Sequence, residues 1–304
     1  MPDRAAHLAH LGSIGEALDE AVPRLARAGI GDPRREAMAL WAAAAGGGMK
    51  PGAVWLERAS DPSPDVAQRF EHALERRLHG MPFAYAAGRT GFRTLELELD
   101  RRALIPRPET EGLVDLVLKW AGPGARAPGS GHRGIVADIG TGCGCIALSL
   151  AVEGHFERVI AIERSGEAAA LARENVALVR PPVPVEVREG DLLAPLAGER
   201  CRAIVSNPPY LTEAEFLSLD PAVRLFEPRQ ALVSGADGLG ATRALLAQAR
   251  GLLEPGGLLA LEVDERRAER VARIAQELAW SRVRLYDDLF GRPRYLLANL
   301  EEDA

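Results

Sequence analysis

Cysteine is scarce in this sequence, and its scarcity argues against two classes of protein. The chain has three cysteines in 304 residues, too few for a disulfide framework. Cys143 and Cys145 lie two residues apart, but no neighbouring His or Cys completes the four ligands of a structural zinc site. We therefore expect neither a disulfide-stabilised fold nor a bound metal ion.

The sequence also lacks a basic cluster and a long apolar run. The formal net charge is −6, and only Lys50 and Lys119 are lysines. This disfavours nucleic acid as a direct partner, because phosphate binding needs clustered positive charge. The most apolar stretch, residues 37–45, is too short to span a bilayer, and the N-terminus has no signal-peptide pattern. We expect a soluble, cytoplasmic protein without membrane association.

The first 80 residues have the pattern of a small helical bundle. Apolar residues recur on one helical face: Ile14, Leu18, Val22 and Leu25. Asp32-Pro33 and Ser63-Pro64 each pair an N-cap residue with a proline suited to the first helical position. We predict a helical domain over residues 1–80.

A different pattern follows over residues 81–106, which we predict to form a β-hairpin linker. Its apolar residues nearly alternate with acidic ones: Phe92, Leu95, Leu97 and Leu99. Further on, residues 121–133 are rich in Gly, Ala and Pro and have no apolar period, which predicts a surface loop.

Short apolar runs alternate with helical patterns from residue 134 onward, as in a doubly wound parallel sheet. The predicted strands are 135–139, 159–163, 183–187, 203–205, 258–263, 282–286 and 295–300. The last two have no helix between them, which predicts a terminal hairpin with an antiparallel final strand. We assign residues 107–304 to this α/β domain.

A glycine-rich loop follows the first strand of this domain and precedes a helix. Its residues are Gly140, Thr141, Gly142, Cys143 and Gly144. Glycines let the backbone approach a ligand closely, and a helix start offers free N–H groups to an anion. Close packing of the helix on the strand is the alternative explanation.

Acidic residues follow the next two predicted strands. Glu163 stands where a carboxylate can accept hydrogen bonds from both hydroxyls of a ribose; a solvated strand end is the alternative. Asp191 is positioned for an adenine amino group, with Leu192 beside it as part of an adenine wall. A helix N-cap is the alternative for Asp191.

The fourth predicted strand stops at an Asn-Pro-Pro-Tyr sequence, which suits a substrate with a planar NH₂ group. The four residues are Asn207, Pro208, Pro209 and Tyr210. The Asn207 side-chain oxygen and the Pro208 carbonyl can each accept one N–H, and neither proline offers a competing donor. Tyr210 adds a flat face. An ordinary Asn-Pro turn is the alternative.

Together these motifs resemble those of class I S-adenosylmethionine-dependent methyltransferases. Leu104-Ile-Pro-Arg-Pro-Glu-Thr-Glu111 and Val223-Arg-Leu-Phe-Glu-Pro-Arg-Gln-Ala-Leu232 are more specifically similar to the release-factor glutamine N5-methyltransferases, the PrmC/HemK family. The resemblance covers nearly the whole chain. It implies a Rossmann-like seven-stranded sheet with a terminal β-hairpin, preceded by a helical substrate-recognition domain.

The resemblance also implies a reaction and the residues that perform it. The substrate would be the glutamine amide in the Gly-Gly-Gln loop of class I peptide chain release factors. Separately, we expect a monomer. The resemblance assigns cofactor binding to Gly140, Thr141, Gly142, Cys143, Gly144 and Glu163, and we add Asp191, Leu192 and Asn207 to the cofactor-binding candidates. The implied catalytic and substrate-binding residues are Asn207, Pro208, Pro209 and Tyr210, and we add Phe92 to the substrate-binding candidates.

Two positions depart from the family pattern. Val263-Asp-Glu-Arg266 stands where the family usually has Gly-x-x-Gln, and Glu163 stands where aspartate is more common. Three other functions remain open: glutamine methylation of a ribosomal protein, adenine N6-methylation of nucleic acid, and cofactor binding without turnover.

Overall fold

A computed structural model describes residues 12–122 and 134–301 of the chain. The chain divides into two compact units, one running to Thr90 and including Pro221–Phe226, the other comprising Gly91–Asp220 and the chain from Glu227 onward. The predicted loop at 121–133 lies outside the described residues from position 123 onward. Within the described ranges, no helix is both long and apolar enough to cross a membrane.

The first unit is the predicted helical bundle. Its helices are α1 Ile14–Arg27, α2 Pro33–Ala45, α3 Pro51–Leu56, α4 Pro64–Leu78 and α5 Phe83–Ala87. Asp32 caps α2 as predicted, because its side chain accepts a hydrogen bond from the Arg35 N–H at 3.2 Å. Ser63 precedes α4 but makes no capping bond with its side chain. The α1 face predicted from periodicity is buried, with Leu18 and Leu25 at most 1% exposed.

A small hairpin spans the point in the chain where the first unit ends and the second begins. Its strands, β1 Arg89–Phe92 and β2 Leu95–Glu98, form a two-stranded sheet. Leu97 is fully buried, while the acidic residues on either side of it are exposed. Alternation in the sequence therefore predicts which face of this hairpin packs inward.

A seven-stranded sheet forms the centre of the second unit, in the order β5-β4-β3-β6-β7-β9-β8. The strands are β3 Ile135–Ile139, β4 Arg158–Glu163, β5 Val185–Glu189, β6 Cys201–Ser206, β7 Leu253–Glu262, β8 Ser281–Asp287 and β9 Pro293–Asn299. β3 to β7 are parallel, and β9 runs antiparallel to both β7 and β8. The predicted α/β architecture with a terminal hairpin is confirmed.

Helices cover the sheet and connect its strands. They are α6 Pro108–Ala121, α7 Cys145–Glu153, α8 Gly166–Val179, α9 Glu213–Leu217, α11 Gly240–Gln248 and α12 Ala268–Glu277; α10 is the segment Pro221–Phe226 of the first unit. All three cysteines are free and buried. The central strands β3 and β4 are almost wholly buried, as expected of a sheet covered on both faces.

Six of the seven strands of the sheet differ from their predicted bounds, and only β3 agrees at both ends. β7 begins at Leu253 rather than at residue 258, and β5 begins at Val185 rather than at residue 183. The later start of β5 has a local cause. Pro184 has no N–H to donate, so it cannot continue the parallel hydrogen-bond ladder, although its carbonyl accepts the Val159 N–H. A pattern of apolar residues carries no information about which backbone N–H groups are missing, so it cannot predict this boundary.

The strand order reverses direction at β3, and that reversal positions the site. β3 lies between β4 and β6. Its last residue, Ile139, is paired with Ile162 of β4 on one side and with Ser206 of β6 on the other. The loops that leave the carboxyl ends of β3 and β6 therefore turn to opposite sides and leave a crevice between them.

Candidate active site

The glycine loop leaves β3 in a conformation that requires glycine. Gly140 and Gly142 have φ values of +72° and +57°, in the left-handed region. The N–H groups of Gly140 and Thr141 both donate to the Ile162 carbonyl, at 2.8 and 3.0 Å. A Cβ at Gly140 would meet no atom within 4 Å, so the loop is held against β4 while its glycine faces open space.

Asp138 anchors this loop from inside the protein, a role that the sequence analysis missed. One of its carboxyl oxygens accepts from Thr141 Oγ1 at 2.6 Å and from the Ala147 N–H at 3.1 Å, which ties the loop to the first turn of α7. The other, Oδ1, is buried without a partner among the described residues. Burial raises the pKa of Asp138 to about 7 despite the two donors.

Glu163 ends β4 and holds the glycine loop by its carboxylate. Its oxygens accept the Gly142 N–H at 2.9 Å and the Ser165 N–H at 3.0 Å. A carboxylate has about four acceptor positions, so these two bonds leave capacity for a ligand. The side chain also lines the cavity described below.

Asp191 and Leu192 follow the carboxyl end of β5, and both line the same cavity as Glu163. The Asp191 side chain is exposed and lies 3.9 Å from the Arg164 guanidinium. It does not cap a helix, because the following 3-10 turn, Ala194–Leu196, begins after Leu193 and has no side-chain cap. Leu192 has a φ of +48° and contributes its side chain to the edge of the core.

Asn207 follows β6, whose last residue is tied to β3. Ser206 Oγ donates to the Ile139 carbonyl at 2.6 Å, which sets Asn207 beside the start of the glycine loop. Asn207 Nδ2 donates to Thr110 Oγ1 at 3.1 Å. In the part of the chain that the structure describes, no donor contacts Asn207 Oδ1 or the Pro208 carbonyl.

The end of the Asn-Pro-Pro-Tyr segment is held by a short parallel bridge. The Leu211 N–H donates to the Leu232 carbonyl, and the Ser234 N–H donates to the Leu211 carbonyl, both at 2.9 Å. Burial raises the pKa of Tyr210 to about 12, so its hydroxyl stays protonated. The segment is therefore fixed at both ends.

A cavity of about 370 Å³ brings most of the predicted residues together. Those that line it are Gly140, Gly142, Glu163, Asp191, Leu192, Asn207, Pro208 and Pro209. Those that do not are Thr141, Cys143, Gly144, Tyr210 and Phe92. Cys143 and Phe92 are 1% and 2% exposed, so their side chains pack into the core.

Family models match both parts of the chain. The PrmC N-terminal domain matches residues 16–88, and the methyltransferase small domain matches residues 127–235. A release factor glutamine methyltransferase of Moorella thermoacetica is 38% identical over 96% of this chain and 100% of its own length. One of Cereibacter sphaeroides is 39% identical over 94% of this chain and 98% of its own.

The chain belongs to the release factor glutamine methyltransferase family. The predicted family is thus confirmed, and with it the prediction of a methyltransferase. Among solved structures, a T. thermophilus 16S rRNA N2 G1207 methyltransferase in complex with AdoMet and guanosine aligns with a TM-score of 0.50 and 16% identity, over 70% of this chain and 50% of that one. This likeness supports the methyltransferase fold.

A buried ion pair joins two of the segments that resemble the family. Arg107, just before α6, donates to Glu227 Oε1 at 2.7 Å. The Ile105 N–H donates to the other oxygen at 3.2 Å. The Glu227 side chain is 1% exposed, whereas that of Arg107 is 33% exposed, so Arg107 neutralises a carboxylate that has almost no access to water.

Arg107→Met is therefore expected to destabilise the protein. Removing Arg107 leaves the buried Glu227 carboxylate without its cation. We expect a loss of about 3 kcal/mol in the free energy of unfolding, the low end for a broken buried pair, because Arg107 itself is 33% exposed. Chemical denaturation of the full chain measures it. Arg173→Met is the matched control, because Arg173 and Glu189 form an exposed pair that contributes little. Equal denaturation midpoints for both variants would contradict the expectation.

The segment that replaces the family's Gly-x-x-Gln pattern forms an ion-pair cluster. Asp264 is 6% exposed and pairs with Arg266 at 2.7 Å and with Arg267 at 3.3 Å. Arg267 also pairs with Glu215 at 2.8 Å. These bonds fix the turn between β7 and α12 with charged groups where the family usually has a glycine and a glutamine.

Proposed function

We propose that this protein transfers a methyl group from S-adenosylmethionine to the side-chain amide nitrogen, N5, of the glutamine in the Gly-Gly-Gln motif of class I release factors. The observation that carries the proposal is a pair of acceptors at the rim of the cavity, Asn207 Oδ1 and the Pro208 carbonyl, which receive no hydrogen bond from residues 12–122 or 134–301. An amide NH₂ offers two N–H groups to such a pair.

The cavity has features that suit S-adenosylmethionine, which supplies an electrophilic methyl group on a sulfonium. Gly140 and Gly142 present backbone without side chains next to the start of α7. Glu163 keeps acceptor capacity for ribose hydroxyls, and Asp191 is an exposed carboxylate at the far edge for an adenine amino group. Leu192 provides an apolar surface for the adenine ring.

The protein's task is to make a poor nucleophile react. An amide nitrogen is weakly nucleophilic because its lone pair is delocalised into the carbonyl. Two acceptors that take both N–H groups fix the nitrogen and increase its electron density, and a rigid Pro-Pro backbone prevents them from moving away. Positioning of this kind contributes roughly 7–11 kcal/mol in the best intramolecular cases.

No general base needs to be assigned. The amide nitrogen becomes acidic once it is methylated, and its proton then leaves to water. The raised pKa of Tyr210, about 12, keeps that hydroxyl from serving as a base near neutral pH.

The direct test is methyl transfer from labelled S-adenosylmethionine to a purified class I release factor and to its Gly-Gly-Gln→Gly-Gly-Ala variant. We expect label on the first and none on the second, with mass spectrometry placing the methyl group on the glutamine side chain. Equal label on both would overturn the assigned residue. Label on neither, with cofactor binding demonstrated by calorimetry, would overturn the substrate and direct the search to ribosomal proteins and nucleic acid.

A further inference from the structure

Two buried residues outside the predicted site are hydrogen-bonded in series to Asn207. Thr110 Oγ1 donates to Glu262 Oε2 at 2.7 Å, and Asn207 Nδ2 donates to Thr110 Oγ1 at 3.1 Å. Thr110 lies in the first turn of α6 and Glu262 ends β7. They are 2% and 1% exposed, respectively.

We propose that Thr110 and Glu262 are positioning residues that lock the Asn207 amide with its oxygen toward the substrate. This inference rests on the proposed function, because it assigns to the Asn207 oxygen the role of accepting the substrate's N–H. It concerns the rotameric state of one side-chain amide, and that state can be measured without any substrate.

The number of available protons fixes the direction of the hydrogen bonds from Asn207 through Thr110 to Glu262. A threonine hydroxyl has one proton, and an ionised carboxylate can only accept. When Thr110 gives its proton to Glu262, its oxygen is left as an acceptor and must face the NH₂ group of Asn207. The flipped amide would set Asn207 Oδ1 against Thr110 Oγ1 with no proton between them, which costs a hydrogen bond in a buried site.

Glu262 is ionised under mildly alkaline conditions. Burial raises its pKa to about 7, while the Thr110 hydrogen bond and the positive charges of Arg294 and Arg107 oppose that rise. At about pH 8 the carboxylate form therefore predominates, and the direction of the hydrogen bonds is defined. Experiments on these hydrogen bonds are therefore best performed at about pH 8.

The position of Thr110 is itself fixed by its surroundings. Tyr295 Oη donates to the Glu109 carbonyl at 2.6 Å, immediately before Thr110. A Cβ at Gly112 would come within 2.4 Å of the same Tyr295 oxygen, so the tyrosine packs tightly against the first turn of α6. Tyr295 pairs with Glu262 across β9 and β7, and one strand pair therefore supports both residues.

The test compares Thr110→Val, which has nearly the same shape and no hydroxyl, with Thr110→Ser, which keeps the hydroxyl. In methyl transfer to a release factor, we expect Thr110→Val to lower kcat about 10- to 100-fold, because the reacting groups lose their alignment. Thr110→Ser keeps the hydroxyl, so its kcat should stay within about 3-fold of that of the wild type. The dissociation constant for S-adenosylmethionine should stay the same in both.

A spectroscopic measurement tests the lock independently of activity. The sequence has three asparagines, Asn175, Asn207 and Asn299, so ¹⁵N-asparagine labelling gives a small set of side-chain NH₂ signals, and an Asn207→Ala spectrum identifies those of Asn207. We expect Thr110→Val to shift the Asn207 signals and accelerate their proton exchange. The Asn175 signals are the internal control, because its Nδ2 donates to the Glu98 and Cys143 carbonyls.

Failure of the lock and failure of the proposed function give different results. Unchanged Asn207 signals in Thr110→Val would overturn the lock, and so would a kcat for that variant equal to that of the wild type. If the wild-type protein methylates no release factor, the proposed function fails, while the Asn207 signals still decide whether the lock exists.

Discussion

Asn207→Ala is expected to lower the rate of methyl transfer by about 10²- to 10³-fold, the scale measured when one preorganised hydrogen-bonding group is removed from an active site. The substitution deletes the oxygen that accepts no hydrogen bond from the described residues, and it leaves Thr110 with an unused acceptor. The Pro208 carbonyl remains, but a single acceptor lets the amide group rotate. The effect should appear in kcat, because the interaction strengthens as the nitrogen reacts.

Cofactor binding separates this role from general damage to the site. We expect the dissociation constant for S-adenosylmethionine to change less than about 3-fold in Asn207→Ala, since Glu163 and the glycine loop keep their own hydrogen bonds. Asn299→Ala is the matched control, because Asn299 lies on β9 and does not line the cavity. Near-normal turnover in Asn207→Ala would remove the residue from the reaction.

Asn207→Asp provides a sharper version of the same experiment. The variant keeps an acceptor toward the substrate, but its second oxygen faces Thr110 Oγ1, whose proton is already given to Glu262. Two acceptors then meet without a proton. We expect a loss of rate close to that of Asn207→Ala, whereas activity near that of the wild type would argue that the NH₂ group of Asn207 has no function.

The parts of the site that are local in sequence were predictable. β3 has the boundaries that its apolar run indicates, and the glycine loop follows it directly. The Asn-Pro-Pro sequence predicts the end of β6, because proline has no N–H with which to continue the hydrogen bonds of a strand. In each case the residues that form the feature are neighbours in the chain, so their spacing carries the information.

The supporting contacts were not predictable, because they join distant parts of the chain. Thr110 and Glu262 are 152 positions apart, and Arg107 and Glu227 are 120 apart. Glu262 and Asp138 each stand in an apolar strand run, and an acidic residue in such a run indicates a buried carboxylate that is held by donors. Nothing in either run indicates which distant residue supplies those donors.

Phe92 is a predicted substrate-binding residue whose ring the structure buries. It is 2% exposed and does not line the cavity. The alternation of Leu95, Leu97 and Leu99 does not extend to Phe92, which lies three residues before Leu95. The sequence therefore did not indicate which way this ring faces.

Glu163→Ala is expected to weaken binding of S-adenosylmethionine about 10- to 100-fold, because hydrogen bonds to a charged group contribute roughly 1.5–3 kcal/mol each. Two effects add. The ribose loses its acceptor, and the Gly142 N–H, which donates to Glu163 at 2.9 Å, loses the bond that holds the loop in place. Calorimetric titration of the cofactor measures the change.

Glu189→Ala is the matched control for this experiment. Glu189 lies opposite Glu163 in the parallel register, also at the end of its strand, but it does not line the cavity. Its carboxylate pairs instead with Arg173 at 2.9 Å. Both substitutions remove one negative charge from neighbouring strand ends, so a general electrostatic effect would weaken binding similarly in each. A large effect confined to Glu163→Ala indicates direct contact, and an unchanged dissociation constant would exclude Glu163 from the ribose site.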